Sequence, residues 1–297
     1  MKLLLTGKNG QLGFALQRSL APLGELLALD RVACDLADPD AIRRVVRRNA
    51  PDVIVNAAAY TAVDAAESHA DEANAINGIA PGILGEVARG LGALIVHFST
   101  DYVFDGEAGR PYVETDPPNP QSVYGRSKLA GEAALQRSGA RHLILRTSWV
   151  VGAHGGNFVK TILRLARERD RLDVVADQRG APTSAALVAD ATAAALRMCM
   201  TNTTPDLSGL YHLTAAGETT WHHLAQHVLR IASARGVRLK LGPECVLPIK
   251  AADYAAAARR PANSRLDTTK FRAAFGIDLP DWQTALAPVL DEILRQP

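Results

Sequence analysis

The sequence predicts an α/β protein: a Rossmann-like, doubly wound parallel sheet with helices on both faces and a smaller C-terminal substrate-binding lobe. Three observations carry that expectation. Short apolar runs alternate with amphipathic stretches through the first half of the 297 residues, the rhythm of strand–helix–strand units joined by right-handed crossovers. The first run, Lys2–Thr6, opens directly into Gly7-Lys8-Asn9-Gly10-Gln11-Leu12-Gly13, a glycine loop at the mouth of a helix. An acidic residue, Asp30, closes the second run.

Each element has its own justification. A helix is expected from the glycine loop to about Leu23, with Phe14, Leu16 and Leu20 on its buried side. Residues 26–29 form the second apolar run. Asp38 then offers a capping carboxylate and Pro39 a first helical residue that needs no N–H. A third strand, 53–55, ends at Asn56-Ala57-Ala58-Ala59, and a helix over 73–91 leads to a fourth strand at 94–98. A helix over 124–136 and a fifth strand over 143–146 follow. Beyond Trp149 the rhythm loosens. Residues 172–175 and 187–200 fit a strand and a helix returning to the sheet, 202–208 a polar loop, and 221–235 and 282–294 helices. The expected division is a dinucleotide-binding domain over residues 1–150, completed by about 184–200. Residues 151–183 and 201–297 would make a lobe over the carboxyl edge of the sheet, with substrate in the cleft.

Composition narrows the class. The formal net charge is +2, and the densest basic cluster, Arg43, Arg44, Arg47 and Arg48, repeats at helical spacing, as a solvated helix face does; nucleic acid is not an expected partner. Three cysteines, far apart and odd in number, argue against a disulfide framework and for a reducing compartment, so a cytoplasmic location is expected. The first apolar run is too short for a signal peptide and no segment is long enough to span a bilayer. His223 and His227 stand four apart beside His222 with no third ligand evident, so no metal site is expected.

The chemistry is concentrated in two places. At the glycine loop, bare backbone can approach a pyrophosphate, whose charge the N–H groups and dipole of a helix start stabilise. Asp30 would accept from an adenosine ribose, whereas Arg31 could meet a 2′-phosphate, so NADH and NADPH both stay open. The second place is 99–128. Thr100 and Asp101 fall at the carboxyl end of the fourth strand, where open α/β sheets place ligands. Tyr124 and Lys128 share a helix face four residues apart. Reducing a ketone requires hydride on carbon and a proton on oxygen. A free tyrosine near pKa 10 exchanges protons poorly at neutral pH, and Lys128 is expected to lower that pKa by stabilising the phenolate.

Taken together, G-x-x-G-x-x-G, V-N-A-A-A-Y-T-A-V-D-A-A-E (55–67), S-T-D-Y-V-F-D-G (99–106), V-Y-G-R-S-K-L-A-G-E (123–132), R-T-S-W-V (146–150) and D-Q-R-G-A-P-T (177–183) resemble an extended short-chain dehydrogenase/reductase. G-L-Y-H-L (209–213), A-R-R-P-A-N-S-R-L (258–266) and L-P-D-W (279–282) extend the resemblance nearly to the end. It points to members that reduce the 4-keto group of dTDP-4-dehydro-L-rhamnose to give dTDP-L-rhamnose for cell-surface polysaccharide. It implies Tyr124 as proton donor, Thr100 as donor to the substrate oxygen, and Lys128 as holder of the nicotinamide ribose. Implied cofactor contacts are Gly7, Gly10, Gln11, Leu12, Gly13, Asp30, Arg31, Asp35, Leu36, Ala57, Ala58, Ala59, Tyr60, Thr61, Phe98, Tyr124 and Lys128. Implied substrate contacts are Thr100, Asp101, Tyr102, Trp149, Asn157 and Gln178, with Arg259 and Arg260 clamping the diphosphate. A homodimer stays open. The rival readings are another sugar-nucleotide reductase or epimerase of the extended family, and a non-catalytic regulatory subunit of the methionine adenosyltransferase type. The intact Thr100, Tyr124 and Lys128 set speaks against the latter.

Overall fold

A computed structural model describes residues 1–201 and 206–295; positions 202–205 of the loop expected over 202–208 lie outside the described residues. Six parallel strands form the central sheet: β1 (Lys2–Thr6), β2 (Glu25–Leu29), β3 (Val53–Asn56), β4 (Leu94–Thr100), β5 (His142–Thr147) and β6 (Gly209–His212). Their spatial order is β6-β5-β4-β3-β1-β2. Because β1 has β2 on one side and β3 on the other, the winding reverses between β1 and β3. The ligand crevice of such a sheet opens there.

The helices that matter are α1 (Gln11–Leu20), α2 (Pro39–Asn49), α3 (Ala80–Leu91), α4 (Val123–Arg137), α5 (Phe158–Glu168), α6 (Ala185–Cys199), α7 (Trp221–Ala234), α8 (Thr269–Phe275) and α9 (Trp282–Arg295). Strand residues alternate between two apolar layers. Leu3, Leu5, Val53, Val55, Val96, Leu143 and Leu145 pack with Leu16 and Leu20 of α1 and Val188 and Leu196 of α6. Leu4, Ile54, Ile95 and Ile144 pack with Ile42 and Val46 of α2, Leu84 of α3 and Leu135 of α4. Burying each such side chain stabilises the fold by about 1.5–3 kcal/mol. A separate core, built from Val159, Ile162, Leu224, Val228, Leu286 and Leu290, joins α5, α7 and α9.

Several elements differ from the sequence reading. The first helix ends at Leu20, and a 3-10 turn, Ala21–Leu23, carries Pro22. Phe14 is 50 % exposed instead of buried and stacks on His154 at 4.4 Å. The helix expected over 73–91 is a composite, with a π-helical stretch, Ala75–Ile79, between Ala70–Asn74 and α3. Leu172–Val175 does not return to the central sheet. It pairs with Val246–Ile249, because β6 already occupies the sheet edge beside β5. β6 lies beyond the expected boundary at residue 200, as do Phe271 and Phe275 of α8, which enter the sheet's core.

Candidate active site

The site begins with close approaches that only glycine permits. Gly7 has φ +75°, and a Cβ there would lie 2.6 Å from the Ala58 nitrogen; at Gly13 it would lie 2.0 Å from the Gly7 carbonyl oxygen. Glycine thus lets the ends of β1 and β3 touch and clasps α1 onto the loop. Gly10 precedes the first turn of α1, so the free N–H groups of that turn face the cleft, an arrangement suited to an anion.

The cleft holds about 740 Å³. Gly7, Gly10, Gln11 and Leu12 form its floor, Asp30, Arg31, Asp35 and Leu36 one end, and Ala57, Ala58, Ala59, Tyr60, Thr61 and Phe98 a wall. Of the expected cofactor contacts only Gly13 stands outside, packed behind the loop. Asp30 pairs with Lys8 at 3.0 Å and accepts from the Ala33 N–H; the Lys8 contact holds its carboxyl below the usual carboxylate range. Arg31 is exposed and pairs with Asp35 and Glu72.

At its other end the cleft is lined by Thr100, Asp101, Tyr102, Tyr124, Lys128 and Trp149. The Ser122 hydroxyl caps α4 by accepting from the Gly125 N–H at 3.1 Å. A Cβ at Gly125 would meet the Tyr102 carbonyl, and one at Gly131 the Asn77 carbonyl. α4 is thereby pressed onto the loop after β4 and onto the π-helical stretch, which brings Tyr124 to Thr100 and Lys128 to the Phe98 carbonyl and His97. The Tyr124 ring stands edge-on to Tyr102 at 5.5 Å.

Burial pushes the Tyr124 phenol up to about 12, against a downward pull from its hydrogen bond with the Thr100 hydroxyl. This corrects the expectation that Lys128 lowers it. The amine of Lys128 is engaged elsewhere, donating to the Phe98 carbonyl at 2.6 Å and lying 3.3 Å from His97 Nε2. Lys128 is 2 % exposed, and that burial lowers its amine to about 8, with Glu132 opposing. Asp101 is pushed up to about 6 by burial, against hydrogen bonds to Ser264 and Thr100. Its Oδ2, with the hydroxyls of Thr147 and Ser148, is buried without a hydrogen-bond partner among the described residues. All three residues line the cleft, so the unpartnered polar atoms lie in the wall that a hydroxylated ligand would meet.

Trp149 adopts φ +47°, a conformation costing a bulky residue of order 1–3 kcal/mol, and one that clusters at functional sites. It stacks on Trp221 at 3.5 Å, and Gly180 leaves it room, since a Cβ there would lie 2.6 Å from its indole. A second cavity of about 1220 Å³ is lined by Trp221 and contains Gln178, Arg259 and Arg260, with Arg164, Arg169 and Arg171. Arg260 pairs with Asp64 at 2.6 Å, while its Nη1 is buried without a partner among the described residues. Arg259 reaches Glu107 and Gln121 at the rim. Asn157 lines neither cavity. Its side chain caps α5 by accepting from the Lys160 N–H and donates to Gln11 and the Gly152 carbonyl, so its polar atoms are spent on holding 152–157 against the glycine loop.

The family model described as RmlD substrate binding domain matches residues 1–295. The chain belongs to this family. It is 48 % identical over 297 residues to the dTDP-4-dehydrorhamnose reductase of Shigella flexneri, covering 99 % of this chain and 98 % of the relative. It is 48 % identical over 300 residues to that of Burkholderia thailandensis, covering both fully. The dTDP-4-dehydrorhamnose reductase of Bacillus anthracis, solved in complex with NADP, superposes with a TM-score of 0.88 at 34 % identity over 98 % of this chain and 100 % of that one. The Thermus thermophilus UDP-glucose 4-epimerase, solved with NAD, shares the fold at a TM-score of 0.79 and 22 % identity, over 100 % of each chain.

Within this RmlD-family site, sequence reasoning missed a layer beneath the cleft. Arg146, 2 % exposed, pairs with Glu132 at 2.6 Å and lies over the Phe104 ring; Ser99 bonds the same carboxylate. Asn77 bonds both backbone groups of Tyr60 and the Ser127 hydroxyl. The signals were a lone arginine ending an apolar strand and a lone asparagine in a helical run. The histidines lie apart from this layer: His222 bonds the Val246 carbonyl, and the His227 ring stands edge-on to Trp282. Among the described residues no group of three or more His, Cys, Asp or Glu is placed to hold a metal ion, and no helix is long and apolar enough to cross a membrane.

Proposed function

We propose that this RmlD-family chain reduces the 4-keto group of dTDP-4-dehydro-L-rhamnose to give dTDP-L-rhamnose, using NADPH or NADH. The observation that carries this is Thr100, Tyr124 and Lys128 meeting in one cleft continuous with the Gly7–Gly13 loop. Full-length likeness to dTDP-4-dehydrorhamnose reductases supports it.

The cofactor fits the residues present: a Cβ at Gly7 or Gly13 would collide with backbone, and their absence leaves N–H groups bare for a pyrophosphate. Asp30 and Arg31 would take the adenosine ribose, and Lys128 the ribose next to the nicotinamide. When bound, the reduced nicotinamide supplies the hydride. The chain's own residues supply everything on the oxygen side. Thr100 donates a hydrogen bond to the carbonyl oxygen as charge grows there. Tyr124, raised to about 12, stays protonated at neutral pH and releases its proton only to a strongly basic oxygen, such as the alkoxide. Lys128, one turn on, is held by Phe98 O and His97 Nε2 and keeps its remaining N–H for the cofactor side of the cleft.

Asp101 and Tyr102 would contact the hexose and Trp149 would pack over it. Gln178, Arg259 and Arg260 would hold the nucleotide diphosphate in the second cavity. Residues 1–150 with 184–200, joined by β6 and α8, would form the dinucleotide-binding domain, and the rest of 151–183 and 201–297 the sugar-nucleotide lobe. The test is NAD(P)H oxidation with dTDP-4-dehydro-L-rhamnose by the wild type and by Tyr124→Phe. The variant is expected to lose roughly a hundredfold to ten-thousandfold in kcat while binding cofactor nearly normally. Wild-type inactivity on this substrate overturns the reading; near-normal turnover by the variant removes Tyr124 from its role.

A further inference from the structure

A buried polar row crosses three strands beneath Lys128. Register pairs Thr6 of β1 with Asn56 of β3, and Asn56 with His97 of β4. All three share the face whose preceding row is Leu4, Ile54 and Ile95, so an apolar ladder turns polar one pleat below the cleft. Each is 1 % exposed. Buried polar groups persist only where they are bonded, and these form a chain. Thr6 Oγ1 lies 2.7 Å from Asn56 Oδ1, the other amide atom of Asn56 lies 3.1 Å from His97 Nδ1, and His97 Nε2 lies 3.3 Å from Lys128 Nζ. The Lys128 amine also donates to Phe98 O at 2.6 Å.

The row has a proton logic. Burial and the neighbouring amine keep the His97 imidazole neutral, so one ring nitrogen donates and the other accepts. An ammonium has only donors. While Lys128 is charged, His97 Nε2 must be the acceptor and the ring proton must sit on Nδ1. Asn56 must then offer its oxygen to Nδ1–H and its NH₂ to the Thr6 hydroxyl, a half-turn of the amide that keeps the same heavy-atom distances. Two of the three ammonium protons are thereby engaged by Phe98 O and His97 Nε2, and the third remains for the cleft.

We propose that His97 is a positioning residue for Lys128, a neutral Nδ1–H imidazole locked by Asn56 and Thr6 that seats the ammonium and steadies its charge. This rests on the catalytic reading of Lys128 given above. The other titratable groups around Lys128 are Tyr124 and Glu132 on α4, Asp101 after β4, and Arg146 on β5, which is paired with Glu132. None of them replaces an acceptor at the Nε2 position.

The first readout is independent of activity. Histidine ¹⁵N resonances of the wild-type protein at about pH 6, below the value of about 8 at which Lys128 titrates, are expected to show His97 with a protonated Nδ1 and an unprotonated Nε2. Lys128→Met should move the Nε2 resonance. An Nε2–H tautomer, an imidazolium, or an unmoved resonance overturns the proposal. The second readout is the pH profile of kcat. His97→Leu is expected to move the alkaline limb about one unit toward acid, a tenfold change in the amine's acidity constant. His97→Gln, which keeps both an acceptor and a donor, should bring the limb back. Superimposable profiles for His97→Leu and wild type, or equal displacement by Leu and Gln, overturn it. The two readings fail separately: an inactive Tyr124→Phe with His97 in the Nε2–H form sinks only the seat. An active Tyr124→Phe with the Nδ1–H form present sinks only the catalytic assignment.

Discussion

The two cavities of this RmlD-family chain would serve one reaction, yet they are built in opposite ways. The cleft at the carboxyl ends of β1, β3 and β4 is made of backbone held at fixed distance by glycines, with buried side chains: Lys128 at 2 % and Asp101 at 3 % exposure. The second cavity is walled by long side chains on α5, α7 and the 249–260 segment, and the Arg259 side chain there is 62 % exposed. The first is preorganised, so a small change is felt at once. The second has freedom to adapt to a ligand, and its charges are screened by solvent.

The largest effect should come from Gly13→Ala. A Cβ there would sit 2.0 Å from a backbone oxygen, which no rotamer change relieves, so α1 must back away from the loop. Overpacking of this kind costs about 1–3 kcal/mol, sometimes more. Cofactor affinity should fall on the order of a hundredfold, read by quenching of tryptophan fluorescence on NADPH titration. Unchanged affinity would mean that the loop is as adaptable as the second cavity and would break the comparison.

Next is Arg260→Ala against Arg259→Ala. Arg260 is anchored by Asp64 and keeps a buried, unpartnered Nη1, so it should contribute a charge-assisted bond worth about 1.5–3 kcal/mol, seen as a tenfold or greater rise in KM for the dTDP-sugar with kcat little changed. Arg259 is already paired with Glu107 in solvent, and such pairs are worth about 0–1 kcal/mol; KM should rise only a few-fold. Equal effects would show that burial does not grade this cavity. A smaller effect belongs to Arg31→Ala at the open end of the first cleft. It should raise KM for NADPH a few-fold and leave KM for NADH nearly unchanged, since only a 2′-phosphate needs the guanidinium. No difference between the cofactors would assign the phosphate to another cation, such as Lys8, which pairs with Asp30 at 3.0 Å.

The same contrast governs what could be read from the sequence. The cleft was legible because its residues lie in short local patterns: a glycine loop after an apolar run, an acid closing the next strand, Tyr124 and Lys128 at helical spacing. Of its expected cofactor contacts only Gly13 lies off the surface, one packing layer behind. The second cavity draws on separate stretches whose meeting depends on Leu172–Val175 pairing with Val246–Ile249, a contact that no local periodicity announces. Asn157 was misplaced for a related reason: an asparagine before a helix reads equally as cap or ligand, and the Gln11 amide decides it from 146 residues away. Phe14 was misassigned because helical period marks a face but not whether another element covers it. The Thr6–Asn56–His97 row was invisible because its members lie on three different strands, and only register aligns them.

Asp101 offers the finest test, because it sets stability against function in the rigid cleft. Its carboxyl is pushed from 3.8 up to about 6 by burial. Between those values the folded protein holds a proton that the unfolded chain has lost, so stability falls as pH rises from about 4 to 6, and the cost is fully present above 6. Asp101→Asn removes the charge and keeps an acceptor for Thr100. It should therefore raise stability by about 1–3 kcal/mol at pH 7, with the gain shrinking toward zero below pH 4, as urea midpoints at several pH values would show. If Asp101 also binds the hexose, the stabler variant should have a higher KM for the sugar nucleotide, because a preorganised site keeps an unpaired polar atom at the expense of the fold. A variant that is stabler with unchanged KM would keep the electrostatics and strip Asp101 of its place in the substrate site.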